Sequence, residues 1–171
     1  MSVAWNIARH NFTDDDGSLP GIEFSRLTPE GVRSLVDYFR RHGTIVSENA
    51  TLYDYSKQAD VPLSELEDPA GLVLSGTAAP FHCCFGGMSN CGVEIPVLGL
   101  FVFQESVEID YRMGAEWNSD NVEALFRLLA QLKSLAPEAN VDSAEPEGLP
   151  YPNEFKDAFS RYTAMESAIQ D

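Results

Sequence analysis

The sequence predicts an α+β fold: an antiparallel sheet with a central hairpin, packed by about three helices. Three observations point there. The run Val97 to Phe103 is continuously apolar, long enough for a buried strand and too short for an independent helix. After Gln104-Glu105-Ser106 it is followed by Val107 to Arg112, where Val107, Ile109 and Tyr111 alternate with Glu108, Asp110 and Arg112, the pattern of a strand with one wet face. Finally, the helical segments flank this strand-rich middle instead of alternating with strands, which separates α+β from a parallel doubly wound sheet.

Taken in order, Val3–Ala8 reads as a weak strand, followed by an acidic loop over Thr13–Pro20 and a second strand at Gly21–Ser25. The first helix is expected from Thr28 to His42. Thr28 serves as N-cap, Pro29 stands at N1 where its missing N–H costs nothing, and Gly43 closes the end. Its apolar face is Val32, Leu35, Val36 and Phe39. Further weak strands are expected at Thr44–Tyr53 and Gly71–Ser75, with loops at Ala59–Pro69 and Gly86–Gly92. The clearest helix begins at a cap on Ser119 or Asp120, with Glu123 in capping-box position. Val122, Leu125, Phe126, Leu129, Leu132 and Leu135 form its stripe, and Pro137 stops it. The acidic, proline-bearing segment 141–152 reads as a linker to a C-terminal helix over 153–169, capped by Asn153 and striped by Phe155, Ala158, Phe159, Tyr162, Met165 and Ile169. No internal repeat interrupts this order, and the expectation is a single domain spanning 1–171.

Composition narrows the function classes. The 171 residues carry 11 Lys+Arg against 27 Asp+Glu, a net charge of −16, and 44% are hydrophobic, too many for a disordered chain. A polyanion of this kind repels nucleic acid and anionic membranes, and its only lysines are Lys57, Lys133 and Lys156. The one basic cluster, Arg40-Arg41-His42, sits at a helix C-terminus, where cations complement the dipole. No run reaches the roughly 18 apolar residues of a membrane span. The first residues lack the basic-then-apolar order of a secretory signal. Three cysteines, two of them adjacent, make no disulfide framework, so a reducing cytoplasm is expected. Phosphate-binding loops, dinucleotide fingerprints, H-E-x-x-H and G-x-S-x-G are all absent from the sequence.

Two segments invite a metal. His82, Cys83, Cys84 and Cys91 offer four ligand types within ten residues, but adjacent side chains on a strand point to opposite faces, so Cys83 and Cys84 do not converge. Buried structural cysteines are expected instead, and a nucleophilic thiol would need positive surroundings that so acidic a chain does not supply. The stretch from Phe12 to Glu23 approaches a calcium loop, with Asp14, Asp16 and Glu23 at ligand positions. Phe12, however, stands where the first acidic ligand must be, and the preceding segment reads as a strand. An acidic turn is the expectation, with no cofactor. Glu108 and Asp110 share one strand face, where water is the expected neighbour. Trp117, just before the strongest helix, reads as a hydrophobic staple or as an interface anchor.

Residues 94–147 concentrate the charge, with 11 acids and three bases. The stretch Leu98–Leu135, with its Asp110-Tyr111-Arg112-Met113-Gly114 turn and leucine-rich helix, resembles in style the immunity proteins of bacterial polymorphic toxin systems. The resemblance covers the middle of the chain and transfers no residue-specific role. It implies a non-enzymatic, stoichiometric inhibitor that binds one cognate toxin or effector domain, often over its active site. A basic partner would be steered by the acidic surface. On that view Glu105, Glu108, Asp110, Arg112, Glu116 and Trp117 are the expected contact residues. The alternatives are a small cytosolic enzyme or thiol site built on His82, Cys83, Cys84 and Cys91, and an effector chaperone or adaptor with a large exposed apolar patch.

Overall fold

A computed structural model describes residues 2–169. The fold is α+β, and its elements run α1 (Val3–Ala8), α2 (His10–Thr13), β1 (Gly21–Ser25), α3 (Pro29–His42), β2 (Thr44–Ile45), β3 (Thr51–Asp54), β4 (Ala59–Pro62), α4 (Pro69–Leu74), β5 (Phe81–Gly86), β6 (Ser89–Asn90), β7 (Val93–Glu94), β8 (Leu98–Val102), β9 (Val107–Tyr111), α5 (Ser119–Leu135), β10 (Asn140–Ser143) and α6 (Pro152–Ile169). Six strands form one antiparallel sheet in the order β10-β1-β9-β8-β5-β2. The β8–β9 hairpin lies at its centre, as the apolar run and its alternating partner predict. β3–β4 and β6–β7 are separate two-stranded ribbons.

One face of the sheet carries Ile22, Phe24, Phe81, Cys83, Phe85, Leu98, Leu100, Val102, Val107, Ile109 and Tyr111, all buried. Helices α1, α3, α5 and α6 contribute their apolar faces to the same core. α3 forms as its sequence dictates: Thr28 Oγ1 accepts from the Gly31 amide at 3.1 Å, and Val32, Leu35, Val36 and Phe39 are buried. Gly43 accompanies its end with extended backbone (φ −126°), because the chain passes straight into β2 without a left-handed turn. α5 starts one residue earlier than the expected caps. Asn118 Oδ1 accepts from the Asp120 and Asn121 amides, and Asn121 Oδ1 accepts from the Asn118 amide at 2.7 Å, a capping box made by two asparagines.

Three expectations are corrected. Val3–Ala8 is a helix, because Ser2 caps it and Ala4 and Ala8, four residues apart, are the positions fully buried. Gly71–Ser75 falls largely in the helix α4, whose N-cap Asp68 accepts from the Gly71 amide at 2.8 Å with Pro69 at the first turn. Thr44–Tyr53 is broken by a turn into β2 and the start of β3, and β3 pairs with β4 from the expected loop at Ala59–Pro69.

The segment 141–152 does more than tether. Its first residues lie in β10, paired with β1, and Ala144 and Leu149 are buried behind them. The Gly21 amide donates to the Glu147 carbonyl and the Ala144 amide to the Gly21 carbonyl, which stitches the loop to the sheet. α6 follows from Pro152 and docks on α1 and α5, with Phe155, Phe159 and Tyr162 around Phe126 at ring-centroid distances of 5.6, 6.2 and 5.9 Å. Met165 is half exposed and leaves the stripe, and the Ile169 side chain lies outside the described residues. The start of α6 is held by Asn11, which is fully buried: its Nδ2 donates to the Tyr151 carbonyl at 3.0 Å and its Oδ1 accepts from the Tyr151 amide at 2.8 Å. No described helix is long and apolar enough to cross a membrane.

Candidate functional site: the open face of the sheet

Side chains alternate across a strand, so burying one face of the sheet against helices sends the intervening residues to the other. Register then aligns them. Asp142 of β10 faces Glu23 of β1, Glu23 faces Glu108 of β9, Glu108 faces Phe101 of β8, and Phe101 faces His82 of β5. One row across five strands therefore holds three adjacent carboxylates, then an aromatic ring, then an imidazole. Neighbouring strands are about 4.8 Å apart, and like charges directly opposite each other are unfavourable. Among the described residues, the basic groups touching the row and its neighbour Asp110 are Lys156, 3.5 Å from Asp142, and His82, whose Nε2 lies 2.7 Å from Asp110.

The neighbouring row explains two glycines. Asp110 is flanked by Gly21 on β1 and Gly99 on β8. A Cβ at Gly99 would collide with the Asp110 carboxylate and the His82 ring, and one at Gly21 would collide with the Glu108 carboxylate. Both strands give up a side chain so that these polar groups can lie close to the sheet.

Electrostatics follow from this crowding. Partial burial pushes the Glu108 carboxyl above its ordinary range, and the charges of Asp110, Glu23 and Glu147 push the same way. The hydrogen bond to Asp110 raises His82 against the opposing effect of its partial burial. Beside the row, Glu23, Glu105, Glu108 and Glu145 share a groove of about 690 Å³ with Tyr55 and Phe103. Tyr55 is 53% exposed at the β3–β4 turn. That turn is fixed by the buried carboxylate of Asp54, which accepts from the Ser56 amide, the Ser56 hydroxyl and the Lys57 amide. Phe103 stacks on Phe101 at 4.5 Å and 7°.

The residues singled out in sequence distribute as follows. Glu108 and Asp110 stand at the centre of the open face. Glu105 is exposed at the β8–β9 hairpin tip, whereas Arg112 and Glu116 are exposed beyond the other end of β9. Trp117 is buried, packed on Phe12 and Tyr111 at about 5 Å each, with its Nε1 donating to the Arg112 carbonyl at 2.7 Å. Of the cysteine segment, Cys83 points into the core, where burial pushes its thiol up to about 12, while His82 and Cys84 take the opposite face. Cys91 sits in the β6–β7 turn with φ +49°, its Sγ 2.8 Å from Nη1 of Arg127.

The calcium-like stretch begins inside the helix α2 and follows the helix α1, not a strand, and Phe12 belongs to the core. Its acids are used locally: Asp14 accepts from His10, and Asp16 accepts from the Ser18 amide. Glu23 lies apart on the open face. Among the described residues no three His, Cys, Asp or Glu side chains are grouped to hold a metal ion. Sequence reasoning missed Glu23, Asp142, Tyr55, Phe101 and Phe103 as neighbours of Glu108. Only register and the ribbon's position bring them together, and neither is written locally.

No protein-family model and no curated protein matches the sequence. The fold does have a counterpart. A chain of the 1.75 Å crystal structure of the toxic C-terminal tip of CdiA from Pseudomonas aeruginosa in complex with immune protein superposes with a TM-score of 0.51. The two chains are 15% identical, and the match covers 76% of this chain and 88% of that one. At that identity the likeness establishes the fold.

Proposed function

We propose that residues 1–171 act as one domain and that this domain is an immunity protein of the bacterial cytoplasm, binding and neutralising a cognate toxin without catalysis. The observation that carries the reading is the row of opposed carboxylates on a sheet face, where Glu23 and Glu108 have no ion-pair partner among the described residues, in a fold shared with a chain of a toxin–immunity complex. Like charges opposed on adjacent strands weaken a sheet, and a cationic partner is what would turn that loss into binding energy. The net charge of −16 favours fast encounter with a basic surface, including the cleft of an enzyme that acts on nucleic acid. In this proposal Glu105, Glu108, Asp110, Arg112 and Glu116 contact the toxin and occlude its basic active site, while Trp117 supports the β9–α5 corner from inside.

The test is capture of partners from lysate of the source cell by the tagged chain, followed by a growth assay. The captured protein is expected to arrest growth when expressed alone, and co-expression of this chain is expected to restore it. Growth arrest by this chain alone, or a captured protein whose effect it leaves unchanged, would overturn the proposal.

A further inference from the structure

We propose that the open sheet face, at the groove between the β3–β4 ribbon and the β1–β9 strands, is the docking surface for an arginine side chain presented by the basic partner. This rests on the immunity reading for the identity of the partner, but its chemistry is testable without it.

The occupant follows from three features of the groove. Its floor carries Glu23 and Glu108, side by side across adjacent strands, with Glu145 at the rim. Among the described residues neither Glu23 nor Glu108 has a hydrogen-bond or ion-pair partner. Two carboxylates this close favour a cation between them. The walls are aromatic: Tyr55, half exposed, and Phe103, held by its stack on Phe101. A guanidinium is planar, stacks on aromatic faces and donates in a fork that matches a carboxylate. An ammonium offers a point charge and no plane. The groove volume of about 690 Å³ far exceeds a water molecule and admits the whole side chain. Gly21 completes the arrangement, because any larger residue there would displace the Glu108 carboxylate.

The surface as a whole supports the same occupant. Phosphate, nucleic acid and anionic lipid are repelled by the carboxylate row, which leaves a cationic protein surface as the complementary partner. The rigid turn at Asp54 holds the Tyr55 wall in place before binding, so little ordering entropy is lost when the side chain enters.

The probes are two capped tripeptides, acetyl-Gly-Arg-Gly-amide and its lysine counterpart, titrated into the full ¹⁵N-labelled chain. Roughly physiological ionic strength keeps the Debye length near 8 Å, so diffuse attraction to the acidic surface is screened. The arginine peptide is expected to saturate, with shifts centred on the amides of residues 23, 55, 103 and 108. It should bind at least about threefold tighter than the lysine peptide. Glu108→Gln and Tyr55→Ala should each weaken it by a similar factor, and Tyr55→Phe should restore it, with the remaining spectrum unchanged as the check on folding. Equal affinity for the two peptides, shifts scattered over other acidic residues, or indifference to both substitutions would overturn the proposal. If the probe fails while the chain still neutralises its captured toxin, the docking site is wrong and the immunity function stands. If the probe binds and no neutralisation occurs, the reverse holds.

Discussion

Asn11 sits where three parts of the chain meet, and no sequence rule marks it. Its side chain closes both backbone groups of Tyr151, and its own carbonyl accepts from the buried hydroxyl of Tyr111 at 2.9 Å. Asn11→Ala strands two backbone groups, each worth about 1–3 kcal/mol when buried and unpaired, so a loss of about 2 kcal/mol or more in urea unfolding is expected. An unchanged midpoint would mean that water replaces the amide. The cysteines, by contrast, were half legible. Adjacency alone places Cys83 and Cys84 on opposite faces, but only the packing shows which enters the core. Cys83 is 1% exposed with its thiol pushed up to about 12, so it should resist iodoacetamide in the native state while exposed Cys91 labels first, read by mass spectrometry. Early labelling of Cys83 would contradict its burial.

The His82–Asp110 pair sets a pH dependence at the same scale. The folded pKa of His82 is raised above 6.5, so its contribution to stability is fully present below that value and is lost as pH rises through the folded pKa. Glu108 acts in the same sense: with its folded pKa raised above 4.5, ionisation on the way up in pH disfavours the fold. The melting temperature should therefore fall as pH rises through the folded pKa of His82. Asp110→Asn should flatten that part of the profile. A wild-type profile rising with pH across this window would contradict the pairing. At lower pH the sign reverses for Asp14, Asp16, Asp54 and Glu138, whose carboxyls are held below their ordinary range by hydrogen bonds and lose that contribution as pH falls.

At the scale of elements, long periodic patterns and explicit caps were the readable features. α3 appears between the expected bounds because Thr28, Pro29 and a four-residue apolar face agree with one another. α5 was legible as a helix, but its cap was misplaced because Asn121 acts as the N3 partner where Glu or Gln is the usual choice. Asn118→Ala should cost about 1 kcal/mol in unfolding free energy, and an effect smaller than that of Asp120→Ala would argue against the asparagine box. Short apolar runs misled. Val3–Ala8 and Gly71–Ser75 fit strand or helix equally by periodicity, and Asp68-Pro69 was the overlooked helix start. The strand β10 was hidden for another reason. Asp142 and Ser143 look like linker composition, yet an edge strand with one open face needs little apolar sequence.

On the scale of the whole molecule, the charge was visible in the sequence but its geometry was not. Glu23, Glu108 and Asp142 are separated by more than 30 residues at each step and become neighbours only through antiparallel register. Such a row is carried at the expense of stability, so Glu23→Gln, which removes the middle charge, should stabilise the free chain by about 0.5 kcal/mol while weakening partner binding. A destabilised Glu23→Gln would mean that the carboxylate has a structural role.

The most direct measurement is the dissociation constant for the captured toxin of three forms of the chain, taken in the same buffer. These are the wild type, Glu23→Lys/Glu108→Lys on the open face, and Glu65→Lys/Glu67→Lys on the exposed turn before α4, which changes the net charge equally. Docking through the open face predicts a loss of at least about thirtyfold for the first pair, against at most about threefold for the second. Equal losses would reduce the acidic row to one part of a diffuse field, and a larger loss for the control pair would place the partner on the helical side of the molecule.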